Sequence, residues 1–343
     1  MNGQVGFAII GCGMISHYHT AAISATPNAR LAGFYDTSAS IAGKSAQAHR
    51  VRAYASLEDI WDDENVDAVS ICTPSGLHGT LALEAIRHKK HVLIEKPIAL
   101  TLEDCDRIIE TARLMRVKVC VVSQLRFSQA VRQAGKLIQS GALGRLVSAD
   151  LYMKYYRSQE YYDSSSWRGT WAMDGGGALM NQGIHGIDVL QYLAGPVSSI
   201  FARSRTLARR METEDAISAV VEYQNGALGV IQATTSVYPG FPRRIELCGD
   251  HGVLILEEDC IVHAEFDHPV SVPIIQGGVS AAGSHRNPED ISAEGHTRQV
   301  TNLVNAILYD EPLLVDGIEG RKAVRLILGA YQSVRQNTPV TFS

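Results

Sequence analysis

The sequence predicts an α/β protein. A doubly wound parallel sheet fills the N-terminal part, and a C-terminal α/β domain follows with a large open, mostly antiparallel sheet. Three observations predict it. Short apolar runs alternate with helical patterns up to residue 122, as in a parallel sheet with crossover helices. After Ser123 the runs lengthen and alternate between apolar and polar, as strands with one exposed face do. The length of 343 residues suits two domains, and the change of texture divides them into 1–123 and 124–343.

The totals narrow the function classes. Hydrophobic residues make up 45% and charged residues 20%, which permits a sizeable core and argues against disorder. A net charge of −5 argues against a nucleic-acid partner. Cys12, Cys72, Cys105, Cys120, Cys248 and Cys260 form no CxxC pair and read as free thiols in a reducing compartment. The apolar run 5–10 is too short for a signal-sequence core. No run reaches the roughly 18 apolar residues that a membrane span needs. A cytoplasmic protein with no membrane partner is expected.

The first strand is residues 5–10, VGFAII. It runs into Gly11-Cys12-Gly13-Met14-Ile15-Ser16 and a helix over 15–25. Gly11 allows the tight turn, and Gly13 lets the backbone approach a pyrophosphate. A small residue in the third position lets helix and strand pack closely. The N–H groups of the turn, with Met14 and Ile15 opening the helix, face the phosphates. This is a Rossmann dinucleotide fingerprint, with Ser16 in place of the usual Gly or Ala. The second strand, residues 31–35, ends in Asp36, which lies 23 positions beyond Gly13. The fingerprint expects an acid about 20 residues on, accepting from the ribose hydroxyls. A carboxylate there repels a 2′-phosphate, and no arginine follows, so NAD is favoured over NADP. The alternative for Asp36 is an N-cap on the next helix.

A capping-type start, Ser56-Leu57-Glu58-Asp59, opens a short helix. Residues 67–72, DAVSIC, are a buried strand that puts Thr73 and Pro74 at the carboxyl edge, beside the cofactor. His78 opens the next helix, facing the cofactor or serving as an ordinary helix-start residue. Residues 91–97, HVLIEKP, are another buried strand, stopped by Pro97. Glu95 and Lys96 then sit at the edge where open α/β sheets bind ligands. The alternative is a capping lysine paired with Glu95. A sixth strand is expected over 117–122.

In the second part, Gln124 and Arg126 lead into a helix over 128–140, and a strand covers 146–156. An aromatic segment follows, with Tyr155, Tyr156, Tyr161, Tyr162, Trp167, Arg168 and Trp171. Such faces stack on sugar rings, or else they cover a sheet edge. In residues 174–193, three glycines precede an apolar helix on which Asn181, His185 and Asp188 fall at i, i+4 and i+7, one helical face. A histidine so placed is a catalytic group or a satisfied core residue. HExxH is absent and no metal site is read. Alternating runs between 198 and 256 read as strands, with a hairpin turn at Asn225-Gly226. Residues 273–289 read as a long loop, and 294–309 and 317–336 as helices.

With these residues in view, the chain resembles the glucose–fructose oxidoreductase/inositol dehydrogenase/MocA (Gfo/Idh/MocA) family over essentially its whole length. The carriers are AIIGCGMIS, Asp36, CTPSGLH, IEKPIAL and GGGALMNQGIHGID, in that order. The resemblance implies a Rossmann domain, then an α/β domain whose open sheet often mediates dimers or tetramers. It implies NAD(P)-linked oxidoreduction of sugars, cyclitols and related polyols. Carried over by motif, Lys96 and His185 are the catalytic lysine and histidine. Many polyol dehydrogenases of the family have Asp where this chain has Asn181. NQGIH with a preceding WRGTW looks like the branch of nucleotide-sugar and glycoside 3-dehydrogenases.

The expected chemistry is hydride transfer between a sugar secondary alcohol and nicotinamide. His185 acts as general base, Lys96 stabilises alkoxide charge and Asn181 positions substrate or His185. The cofactor residues expected are Gly11, Gly13, Met14, Ile15, Asp36, Thr73, Pro74, His78, Glu95 and Lys96. The substrate residues expected are Gln124, Arg126, Tyr156, Trp167 and Arg168. Two other functions stay open: a non-catalytic dinucleotide sensor on the same fold, and a redox-assisted glycosidase.

Overall fold

The computed structural model describes residues 3–271 and 293–342. The loop expected over 273–289 lies outside the described residues. The strands are β1 Val5–Ile10, β2 Ala29–Tyr35, β3 Arg52–Ala53, β4 Ala68–Ile71, β5 His91–Ile94, β6 Val119–Val121, β7 Leu146–Lys154, β8 Val197–Arg205, β9 Ala216–Tyr223, β10 Leu228–Thr234, β11 Arg244–Gly249, β12 Gly252–Glu257, β13 Cys260–Phe266 and β14 Val340–Thr341. The α-helices are α1 Met14–Ala25, α2 Ala39–His49, α3 Leu57–Trp61, α4 His78–Arg87, α5 Leu102–Met115, α6 Gln129–Gln139, α7 Gln159–Asp163, α8 Ile184–Ala194, α9 Ala293–Tyr309 and α10 Gly317–Gln336.

The chain forms two compact units. The first holds residues 1–124 and 292–324, and the second holds 125–291 and 325–343. The first unit carries a parallel sheet in the order β3-β2-β1-β4-β5-β6, the doubly wound arrangement. Its central strands β1 and β4 are buried on both faces, so VGFAII and AVSI carry no polar–apolar alternation beyond the single Ser70. Ser56 caps α3 through a reciprocal capping box with Asp59.

Residues 293–324 pack with this unit although the texture of the sequence assigned them to the second part. The reason is apolar: Val300, Leu303 and Val304 of α9 complete the core built by Val5, Phe7, Ile9 and Ile23. Gln299 of α9 also covers the open edge of β6. Its Nε2 donates to Val121 O at 2.6 Å, and its Oε1 accepts from Ser123 N at 3.0 Å.

The second unit carries an eight-stranded sheet ordered β13-β12-β11-β7-β10-β9-β8-β14. Among the described residues only its β7–β10 pairing is parallel. Asn225-Gly226 makes the turn between β9 and β10, with Gly226 at φ +86°. One face, with Leu151, Met153, Ile231 and Leu247, is buried, and α8 packs on it. Gly186 lets α8 come close, since a Cβ there would stand 2.7 Å from Leu151. The other face keeps Val220, Val230 and Leu228 exposed. No described helix is long and apolar enough to cross a membrane.

Candidate active site

In the first unit the β1–α1 turn forms a cradle. Gly11 has φ +92°, and a Cβ on it would stand 2.8 Å from Cys72 O. Gly13 has ordinary φ, lies exposed, and a Cβ there would meet nothing within 4 Å. The space over Gly13 is therefore open to a ligand. Helix α1 starts at Met14 with no side-chain cap and no acid in its first turn, leaving its positive end uncompensated. Met14 is exposed and Ile15 packs on the core. Ser16 is buried and donates to Gly13 O at 2.6 Å, so the third position must be small here as well.

The Asp36 carboxylate is tied to this turn. It accepts from Cys12 N at 2.9 Å and from Ser38 N at 2.8 Å. The N-cap of α2 is Ser38, so Asp36 is not the cap. The Thr73 hydroxyl is buried beside Gly11 with no hydrogen-bond partner among the described residues. Pro74 leads into the short turn Ser75–Leu77 before α4. An open glycine, an uncapped helix start, an acid fixed against the turn and an orphaned hydroxyl together fit a dinucleotide.

Lys96 follows β5 and is half-buried. Beneath it lies a buried charge pair. Glu95 accepts from His19 Nε2 at 2.8 Å, and its other oxygen accepts from Lys96 N at 3.2 Å. His19 Nδ1 stands 2.6 Å from the Ser70 hydroxyl. Burial pulls His19 down, but the Cys72 sulfur and the Glu95 carboxylate more than offset it and raise it to about 10. Burial pushes Glu95 up, yet the hydrogen bond and charge of His19, with Lys96 behind them, bring it to about 2. Both groups are thus ionised at neutral pH.

Ser70, His19 and Glu95 have the connectivity of a hydrolytic triad, but Ser70 is wholly buried and cannot meet a substrate. His19, Glu95 and His296 also bring three donor atoms within 4.8 Å of one another. Two ligands on a tetrahedral zinc with bonds of about 2.1 Å stand about 3.4 Å apart. The His19–Glu95 spacing of 2.8 Å is shorter and is that of a hydrogen bond. This geometry holds a proton.

Two residues expected at the cofactor, His78 and Glu95, are buried at the sheet edge. His78 is 1% exposed, and its ring nitrogens face Pro97 O at 2.7 Å and Thr73 O at 2.9 Å. It bolts together the loops after β4 and β5, and burial holds its pKa below the usual imidazole value. Glu95 is 6% exposed and occupied by His19. Both side chains are engaged by neighbouring elements of the sheet edge.

In the second unit, the segment Ala178–Gly183 is a π-helical turn leading into α8. The expected face of Asn181, His185 and Asp188 assumed 100° per residue, which a π turn does not keep. Asn181 and His185 are half-buried, whereas Asp188 is buried. Asp188 accepts from Arg126 Nε at 2.8 Å and from the Arg126 terminal nitrogen at 2.6 Å. Arg126 is 2% exposed and stacks over Tyr192 at 4.9 Å. Its charge is matched by Asp188 within the fold. Asn181 donates to Asp174 Oδ1 at 2.6 Å, and Asp174 Oδ2 accepts from Gly169 N.

The aromatic segment packs beside this turn. The Arg168 guanidinium lies over Tyr161 at 4.4 Å and over Trp167 at 5.4 Å, and it donates to Tyr161 O. Gln182, next to Asn181, donates to the Tyr161 hydroxyl at 3.4 Å. Tyr156 meets Tyr238 edge-on at 5.2 Å, with Arg209 over its ring. Arg168 Nε has no hydrogen-bond partner among the described residues. Neither has Gln124 Oε1, in the first unit.

Sequence reasoning missed Glu214. It is 4% exposed and accepts from Gly177 N at 3.0 Å, Leu179 N at 2.9 Å and the Tyr331 hydroxyl at 2.9 Å. Its carbonyl takes Ala178 N. The glycine run admits these residues of the chain itself: a Cβ on Gly177 would fall 1.8 Å from Glu214 O, and one on Gly176 would fall 2.2 Å from the Tyr331 hydroxyl. A lone acid at the head of a strand carries no spacing signal that could have announced this.

Comparison with known proteins agrees with the geometry. An oxidoreductase family with an NAD-binding Rossmann fold matches residues 5–123, and the GFO/IDH/MocA C-terminal domain matches residues 131–255. The crystal structure of the WlbA dehydrogenase from Bordetella pertussis, in complex with NADH and UDP-GlcNAcA, is 32% identical. It superposes with a TM-score of 0.89, covering 99% of each chain. Myo-inositol 2-dehydrogenase from Thermotoga maritima is 27% identical over 302 residues, 84% of each chain. Inositol 2-dehydrogenase from Rhizobium meliloti is 25% identical over 348 residues, 99% of each chain. The protein belongs to the Gfo/Idh/MocA family of NAD-binding oxidoreductases.

Proposed function

We propose that the protein oxidises, reversibly, a secondary hydroxyl of a sugar carried on a nucleotide. The observation that carries this reading is the full-length likeness to a dehydrogenase whose structure holds NADH and UDP-GlcNAcA. The inositols of other family members are the next substrates to try. Gly11, Gly13, Asp36, Thr73 and the start of α1 hold NAD, which accepts the hydride from the alcohol carbon when bound. His185 takes the hydroxyl proton, since an imidazole titrates near neutral pH. Lys96 orients the hydroxyl and stabilises the alkoxide through its ammonium. Asn181, kept in place by Asp174, orients the substrate. Trp167, Arg168 and Tyr156 stack on its rings, and Gln124 bonds a hydroxyl.

The buried free thiols Cys12, Cys72, Cys105 and Cys120 suit a reducing compartment such as the cytoplasm. The exposed apolar band of Val220, Leu228 and Val230 on the second sheet suits a homodimer or homotetramer.

The test is appearance of reduced cofactor in an absorbance assay with NAD or NADP, over UDP-sugars and their uronates, free hexoses, glycosides and inositols. Turnover with a nucleotide-sugar and NAD is expected. Lys96→Ala and His185→Ala should each lower turnover at least about a hundredfold. Near-normal rates in both variants overturn the residue assignment. Turnover with inositols alone overturns the nucleotide-sugar reading.

A further inference from the structure

The His185 helix begins in an unusual way. Its first turn is π-helical, its N-cap is Gly177, and no side chain of its own caps it. One residue from elsewhere supplies that cap. Glu214, just before β9, takes the N–H groups of Gly177 and Leu179 on its two carboxylate oxygens and that of Ala178 on its carbonyl. These are three of the donors that a helix start leaves unsatisfied. The Tyr331 hydroxyl of α10 adds a fourth hydrogen bond, to the same oxygen that Leu179 reaches. With Glu214 ionised all four donors face an acceptor. A protonated Glu214 must turn its O–H to the Tyr331 oxygen, which reverses that bond and withdraws the charge the amides face.

We propose that Glu214 is the positioning residue for Asn181 and His185: its carboxylate fixes the glycine-started π turn, and with it the register of the helix that presents both side chains. The inference rests on the reading of His185 as the base. Burial raises Glu214 to about 7, against the pull of the Leu179 and Gly177 amides and the Tyr331 hydroxyl. The titratable groups around it are Tyr331 from α10, Glu212 and Asp215 on either side along the chain, and Asp174 at the head of the glycine run. Asp215 is itself saturated by the amides of Leu207, Ala208 and Arg209, and Glu212 takes Trp171 N. Asp174 meets the turn through the Asn181 side chain, and Glu214 meets it through the backbone amides that start it.

The experiment is a set of pH profiles of kcat/KM for the full-length wild type, Glu214→Gln, Tyr331→Phe and His185→Ala. NAD affinity by fluorescence titration and thermal stability accompany it. In the wild type two groups must be deprotonated, so the acid limb of log kcat/KM should fall with a slope of about two. Glu214→Gln puts an amide donor where an oxygen accepted. It should lower kcat at least about tenfold and reduce the slope to about one. NAD affinity should stay within about twofold, because the fingerprint residues are untouched. Tyr331→Phe removes one donor to the ionised form and should move the limb up by about half a pH unit.

A Glu214→Gln enzyme with wild-type kcat and an unchanged slope overturns the proposal. If that variant does not fold, Tyr331→Phe decides: an unmoved acid limb overturns it, and the upward shift supports it. Full activity in His185→Ala instead defeats the reading of the base and leaves the role of Glu214 in the helix start to be read from stability. An inactive His185→Ala beside a wild-type-like Glu214→Gln defeats the positioning role alone.

Discussion

At the scale of single residues, the pair His19–Glu95 shows how a charge under the sheet edge can be decisive without touching a ligand. Both side chains are essentially buried, and each is the other's counter-ion. Removing one partner of such a pair strands the other charge, at a cost of about 3–5 kcal/mol. Glu95→Gln should therefore lower stability by about that much in a denaturant titration. The pH dependence has a definite sign. Glu95 sits at about 2 against an ordinary 4.5, so its contribution is present above 4.5 and is lost as pH falls toward 2. His19 sits at about 10 against 6.5, so its contribution is full below 6.5 and is lost as pH rises through 10. The wild type should lose stability between pH 6.5 and 10, and Glu95→Gln should lose less there, with the Cys72 sulfur still raising His19. A variant that follows the wild-type curve across that window would show that the pair is not the cause.

At the scale of elements, the sequence was most legible where local chemistry and global fold agree. The β1–α1 turn needed only the glycine spacing and a strand before it, and Asp36 stands against that turn as the spacing required. Strand β5, the hairpin at Asn225-Gly226 and helix α10 were equally readable from period and punctuation. What could not be read were features made by partners remote in sequence. Arg126 was expected at the substrate, and no spacing announces that Asp188, 62 positions away, takes its charge. Strand β13, CIVHAEF, alternates only weakly and was passed over.

The glycines carry the clearest lesson, because identical letters do different work. Gly177 has a backbone carbonyl where a side chain would go, whereas Gly13 has open space and an ordinary φ. Gly177→Ala should destabilise the protein by at least about 2 kcal/mol, since a backbone must move. Gly13→Ala should keep stability within about 0.5 kcal/mol and weaken NAD binding at least about tenfold, because its methyl fills the cradle. Thermal melts without cofactor, beside NAD titrations, separate the two. Equal losses of stability would show that both glycines serve the fold alone.

At the scale of the whole molecule, the linear division at residue 123 misses that the chain returns. Helix α9 contributes Val300, Leu303 and Val304 to the first core, and β14 pairs with β8 at the edge of the second sheet. No texture change in the sequence marks that return, because an amphipathic helix reads the same whichever core it joins. The second sheet poses the opposite question, since α8 packs on one of its faces and the other stays open. Phe201, Val220 and Val230 lie side by side on neighbouring strands β8, β9 and β10, paired Phe201 with Val220 and Val220 with Val230. Val220 is 57% exposed and Leu228 is 59% exposed, which makes a contiguous apolar band and not scattered singles. Bands of this kind on a flat sheet mark association surfaces. Charges placed in its centre cost little in a monomer, where water reaches them, but are strongly unfavourable between two such faces. Val220→Glu with Val230→Glu should therefore leave the melting temperature of the individual chain within a few degrees and shift the mass measured by light scattering from a dimer or tetramer to 37.3 kDa. An unchanged oligomer in the double variant would place the association surface elsewhere, and a monomeric wild type would leave the band without a second copy to cover it.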